Sequence, residues 1–182
     1  MKQVIALHHR VFSAIETACG GWLLPSLARF TFAATLLIYF WNSAMLKIGD
    51  GILGLFHPTL GAYAQIFPKA MEAAGYNTDN LTDLHWAVVV AGTTAEIVLP
   101  LLIVFGLFTR LAAIGMAGFV VVQSLTDLYG HGGIDQPDTV GAWFDIASGS
   151  VILDQRLFWM LLLAILMTRG AGPLSFDRLL RR

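Results

Sequence analysis

The sequence predicts an all-α integral membrane protein, a four-helix bundle with both termini inside and a short N-terminal interfacial helix. Three observations carry this reading. Only 13% of the 182 residues are charged, against about 25% in an ordinary soluble domain. The chain is 57% hydrophobic, with a mean hydropathy of +0.70. The charges are also spaced so that long apolar runs lie between them. Disorder is excluded, because it requires low hydrophobicity. A single Cys excludes an internal disulfide and a Cys-based zinc site.

The gaps between charges mark the spans. Arg29 to Lys47 encloses seventeen uncharged residues, Asp83 to Arg110 twenty-six broken only by Glu96, Arg110 to Asp127 sixteen, and Arg156 to Arg169 twelve. A spanning helix needs about 20 predominantly apolar residues. The fourth run is short, so its helix is expected to start near Ser150 and take Asp154 and Arg156 into its first turns. Helices are therefore expected near 26–48, 84–107, 110–129 and 150–169. The runs are apolar at every position, whereas a β-barrel would alternate.

The rest of the chain, read as a single membrane domain over 1–182, falls around these helices. Residues 1–24 form an N-terminal interfacial segment. Within it Val4, Val11 and Ile15 recur at helical spacing, so residues 3–18 read as a surface helix. His8, His9, Arg10 and Glu16 interrupt it, so no signal-peptide core forms. The outer loops are 49–83 and 130–149. The first is apolar enough to lie on the membrane or cap the bundle, with Gly75 and Asn77 marking a helix end. The second reads as irregular and acidic. Residues 170–182 form a cytoplasmic tail.

Orientation follows from the cations. Lys2, Arg10, Arg29, Arg110, Arg169, Arg178, Arg181 and Arg182, eight of eleven, fall on one side. The positive-inside rule places that side in the cytoplasm. Nine acids lie toward the other side.

Glu96 is the exception to this segregation. It lies 13 residues after Asp83 and 14 before Arg110, about 20 Å from either boundary at 1.5 Å per residue. An ionisable group at that depth is costly and is a functional candidate by default. The same ruler puts Asn42, Gln123 and Arg156 at its level, one from each other helix. Lys47 and Asp127 lie a turn or more farther out. They are candidate partners for each other, with Asp154 beside them. Glu96 then has two candidate cations, Arg156 and Lys47. Pro100 cannot bond the Glu96 carbonyl, so a kink is expected there. Thr93 and Thr94 supply hydroxyls one turn earlier. Such a cluster reads as structural glue between helices, as a ligand or proton site, or as a contact with a partner subunit.

Other chemistry is poorly supported. No P-loop, dinucleotide turn, G-x-S-x-G or H-E-x-x-H pattern occurs. No basic patch suits nucleic acid, and the RLLRR tail reads as an inner-leaflet anchor. His57, His85 and His131 are expected outside at irregular spacings, so no metal site is assigned.

The motifs resemble a family. Arg29 opens the first helix and Lys47 closes it. Glu96 leads into LPLLIVFGLFTR, a Gly-Leu-x-Thr-Arg ending at Arg110. The end, GAGPLSFDRLL, is a Gly-x-Gly-x-x-Ser-x-Asp pattern carried by Gly170, Gly172, Ser175 and Asp177. Together, over roughly residues 25–180, these resemble the DoxX family of small four-helix bacterial membrane proteins. The resemblance implies a multi-pass protein of the bacterial inner membrane. The family name comes from a subunit of a thiosulfate:quinone oxidoreductase. It therefore implies a membrane subunit of a quinone- or sulfur-linked redox system, with quinone as the candidate cofactor and a redox subunit as the candidate partner. Alternatives are an anchor or assembly partner for another complex, or a small-solute or proton pathway, which would need a homo-oligomer. Ser175 and Asp177 read as the cap of a short surface helix.

Overall fold

In the computed structural model, which describes residues 1–180, four apolar helices are long enough to cross a membrane: Leu23–Met45, Asp83–Phe105, Thr109–Gly130 and Val151–Arg169. No strand occurs among the described residues. Arg181 and Arg182, counted above with the inner-face cations, lie outside the described residues. No more than 28% of any span's apolar window is buried within the chain. The remaining surface needs an apolar solvent, which is what a bilayer provides. Four spans leave both chain ends at one end of the bundle, here called the terminal end. The opposite one is the loop end.

The first span begins and ends three residues earlier than expected. Gly20 and Gly21 break the chain before it, and Pro25 is tolerated in its first turn, where its missing N–H has no bond to make. Three spans carry a π-helical segment: Ala33–Leu37 in the first, Thr126–Gly130 closing the third, and Val151–Gln155 opening the fourth. The second span runs unbroken through Pro100. It stops at Gly106, whose φ of 68° is left-handed, and the Leu107 amide bonds the Leu102 carbonyl at 2.9 Å.

The spans form a ring in which each packs on its two neighbours, the first against the second and the fourth. Phe32, Phe40, Ile103, Met116, Leu163 and Leu166 are fully buried at its centre. Phe40 meets Phe119 and Trp159 edge-on at 5.9 and 6.0 Å. Ala112, Ala113 and Ala117 let the third span approach closely.

The loop between the first and second spans packs on the second span. It contains helices Leu60–Ile66 and Pro68–Ala73, and Tyr63 and Met71 pack on Val89. Burial pushes the Tyr63 phenol above its ordinary pKa. Gly75, at φ 62°, ends the second of these helices. Thr59 caps the first helix and fastens the loop to the first span. Its hydroxyl donates to the Leu46 carbonyl at 3.0 Å and its amide to the Lys47 carbonyl at 2.9 Å. The loop between the third and fourth spans holds a four-residue helix, Pro137–Val140. The N-terminal helix, Lys2–Cys19, buries none of its residues, and Val4, Ile5, Val11, Phe12 and Ile15 are exposed.

Candidate functional site

The polar residues near the bundle centre sort into two ion pairs. Lys47 lies just beyond the last helical residue of the first span, held there by Thr59. Its side chain turns inward, and Nζ lies 3.0 and 2.8 Å from the two Glu96 oxygens. Nζ also donates to the Ser43 hydroxyl at 2.6 Å and the Ser43 carbonyl at 3.2 Å. The Ser43 hydroxyl donates in turn to Glu96 Oε1 at 3.1 Å. Lys47 is 2% exposed and Glu96 4%. Three groups therefore close on one another with water excluded. A buried ion pair is tolerable only with such supporting hydrogen bonds.

The second pair is Arg156 with Asp127, whose carboxylate accepts from Nη2. Arg156 is buried, and its Nε and Nη1 have no hydrogen-bond partner. The choice left open for Glu96 thus falls to Lys47. The expected Lys47–Asp127 contact does not form. A lysine side chain spans about one helical turn, so a residue at the end of a span can reach the level below it. Arg156 lies on the fourth span, whose neighbours in the ring are the first and the third, so it meets Asp127 of the third rather than Glu96 of the second. Asp154 joins neither pair. It accepts from the Ser150 amide at 2.9 Å and caps the fourth span.

Asn42 is exposed and turned away from Glu96. Ser43 stands in its place. Depth arithmetic carries no azimuth, and adjacent helical residues point about 100° apart. The signal lay in the spacing of Ser43 and Lys47, four residues apart and so one above the other. Gln123 donates to the Tyr39 hydroxyl at 2.9 Å, and its Oε1 is buried without a donor. The Thr93 hydroxyl is used by the Val89 carbonyl of its own helix. Trp41 donates to the Ile97 carbonyl at 3.4 Å, next to the Glu96 carbonyl that Pro100 cannot bond.

A cavity of about 340 Å³ lies between the second and third spans. Lys47, Glu96, Gln123 and Asp127 border it, and Ala91, Gly92, Gly115 and Gly118 form its thin walls. Ala91, Gly115, Gly118 and Val122 are exposed on the outer faces of the two spans. The cavity is thus a groove open sideways, with its polar residues inside and its mouth on a lipid-facing surface. Its size falls at the lower end of the range for small-molecule sites, roughly 300–1,000 Å³.

The remaining motif residues gather at the terminal end and build a clasp. Arg29 donates to the Ala171, Leu174 and Val104 carbonyls at 2.7, 2.5 and 3.1 Å. Asp177 accepts from the Phe108 and Thr109 amides at 2.7 and 3.0 Å, capping the third span from the tail. Ser175 caps the short helix Phe176–Leu179, accepting from the Arg178 amide at 3.3 Å. Asp177 thus serves a different helix from the one expected. Arg110 donates to the Thr168 carbonyl at 3.1 Å, beside Gly170. A Cβ on Gly106 would stand 2.6 Å from Ser175 Cβ. These residues hold backbone together and leave no reactive group free.

The histidines are dispersed. His85 Nδ1 accepts from the Thr82 amide at 3.2 Å, and His131 Nε2 lies 2.9 Å from the Gln65 carbonyl. No three His, Cys, Asp or Glu side chains are grouped for a metal ion among the described residues.

Four apolar spans around a buried Lys–Ser–Glu set, clasped at one end by an arginine and the tail, define a small polytopic membrane protein. The sequence model of DoxX matches residues 24–126, more than half of the chain, and the chain belongs to the DoxX family. An uncharacterized protein of Haemophilus influenzae is 28% identical over 106 residues, 55% of this chain and 56% of its own length. The chain therefore spans little more than half of that curated relative. No solved structure matches it.

Proposed function

We propose that the groove between the second and third spans binds an amphipathic quinone, and that the protein is the membrane subunit of a quinone-linked redox system in the bacterial inner membrane. One observation carries this reading: a sideways-open apolar groove ends on Lys47, Glu96 and Gln123. A quinone ring has two carbonyl oxygens and an apolar tail. Lys47 supplies positive charge near one oxygen, its N–H groups being engaged by Glu96 and Ser43. The unpartnered Gln123 Oε1 suits the hydroxyl of the reduced form. Glu96 is the acid–base group at hand for proton exchange with the ring oxygen. Electrons come from a partner redox subunit, and the chain's part is to bind, orient and exchange protons.

The test is to purify the protein in native lipids and extract bound quinone. Stoichiometric quinone is expected, and it should fall at least about tenfold in Glu96→Gln, the scale of one lost charged hydrogen bond. Gly118→Leu supplies a second arm. A Cβ there meets nothing within 4 Å, so the larger side chain fits the fold while entering the groove. It should expel quinone and leave the melting temperature unchanged. No quinone in the wild type would sink the reading. A Glu96→Gln variant that loses stability but keeps its quinone would assign the polar set to holding the helices together.

A further inference from the structure

A second cavity, about 430 Å³, lies at the terminal end, away from the groove. Three arginines border it from three elements: Arg110 from the start of the third span, Arg169 from the end of the fourth, and Arg178 from the short tail helix. Its floor is the connection through Gly170, Ala171, Gly172 and Pro173, in which Gly170 and Gly172 take left-handed φ values of 75° and 77°. Trp22 borders it from the segment before the first span.

The charge in this hollow is unbalanced. Asp177 also borders it, but its carboxylate faces the Phe108 and Thr109 amides. Arg110 spends one N–H on the Thr168 carbonyl. Among the described residues, neither Arg169 nor Arg178 forms an ion pair. Three cations therefore surround one acid whose oxygens are already engaged. Planar guanidinium groups around a concave polar surface match the multiply accepting oxygens of a phosphate better than any apolar ligand.

We propose that this hollow is a phosphate-binding site, filled by the headgroup of an anionic phospholipid or by free phosphate. The setting is a membrane surface. The third span starts there, the fourth ends there, and an interfacial tryptophan stands at the edge. The exposed apolar residues of the N-terminal helix adjoin the same region in sequence. A phospholipid seated here puts its phosphodiester among the arginines and its chains along the spans. This differs from general attraction of a basic tail to a charged leaflet, because it requires one bound molecule at one place.

The experiment uses the full chain in mild detergent, where no charged bilayer surface contributes. Native mass spectrometry counts bound lipid, and thermal unfolding reads the stabilisation. Phosphatidylglycerol, phosphatidylcholine and inorganic phosphate are the probes. Arg169 and Arg178 are exposed and outside the core, so Arg169→Gln with Arg178→Gln leaves the fold intact. Lys2→Gln with Arg10→Gln removes the same charge elsewhere. One phosphatidylglycerol is expected to bind. Its affinity should fall about a hundredfold in the Arg169/Arg178 variant, at about tenfold for each charged hydrogen bond. The Lys2/Arg10 variant should bind as the wild type does. If inorganic phosphate alone gives the same arginine-dependent stabilisation, the ligand is the soluble anion. Equal binding of phosphatidylglycerol and phosphatidylcholine, or equal loss in both variants, would overturn the proposal. The groove reading is unaffected by either result, because no residue is shared between the two cavities.

Discussion

Replacing Lys47 by methionine tests the central pair directly. Methionine keeps an unbranched apolar chain of similar reach and removes only the charge and its hydrogen bonds. Nζ lies 3.0 and 2.8 Å from the carboxylate oxygens, and both residues are almost fully buried. Water is not at hand to replace the cation. Removing one member of such a pair costs about 3–5 kcal/mol. At about 2–4 °C per kcal/mol for a chain of this length, the melting temperature falls by about 6–20 °C. Ser43 still donates to Glu96 Oε1 at 3.1 Å, which places the loss in the lower half of that range. Lys47→Met with Glu96→Leu should recover most of it, because an apolar replacement of both partners is often neutral. Unfolding is followed in detergent by tryptophan fluorescence, and the double-mutant cycle gives the coupling. A loss under about 1 kcal/mol in Lys47→Met would mean that the pair behaves like a solvated surface bridge, and the reasoning fails. So does a double variant as damaged as the sum of the singles.

Three other outcomes follow from the same geometry. Gly106→Ala forces a side chain into left-handed backbone and against Ser175. It should cost about 2–4 kcal/mol in thermal unfolding, where a loss under about 0.5 kcal/mol contradicts the clasp. Asp177→Ala removes the cap on the third span, at about 1–2 kcal/mol, and amide exchange should quicken at Phe108 and Thr109 before it does elsewhere. Tyr63 has its folded pKa raised by burial. Its contribution is therefore complete below the ordinary phenol value of about 10 and is lost as pH rises above it. Alkaline titration of stability should show a drop that Tyr63→Phe lacks.

The spans were legible because charge is scarce and its spacing is a ruler. Glu96 stood out for the same reason. The pairing around it was not legible. A ruler along the axis orders depth but not direction, so it selected Asn42 where the bundle uses Ser43. It also ignores which spans are neighbours: the fourth flanks the first and the third, so Arg156 meets Asp127 and not Glu96 on the second. Lys47 could be placed at the end of a helix, but only its length lets it reach Glu96. The tail motif could be matched as a pattern. That Asp177 caps a helix 68 residues earlier is a tertiary fact with no local signal.

The Arg29 clasp also sets an order of events. Its guanidinium, near the start of the first span, donates to carbonyls 142 and 145 residues later in the chain. During synthesis the first span therefore enters the bilayer long before those acceptors exist. Until they emerge, Arg29 must be satisfied by water or lipid headgroups, which holds that end of the span at the surface. The terminal end of the bundle can close only after the fourth span is inserted, so assembly of this protein finishes where its membrane insertion began.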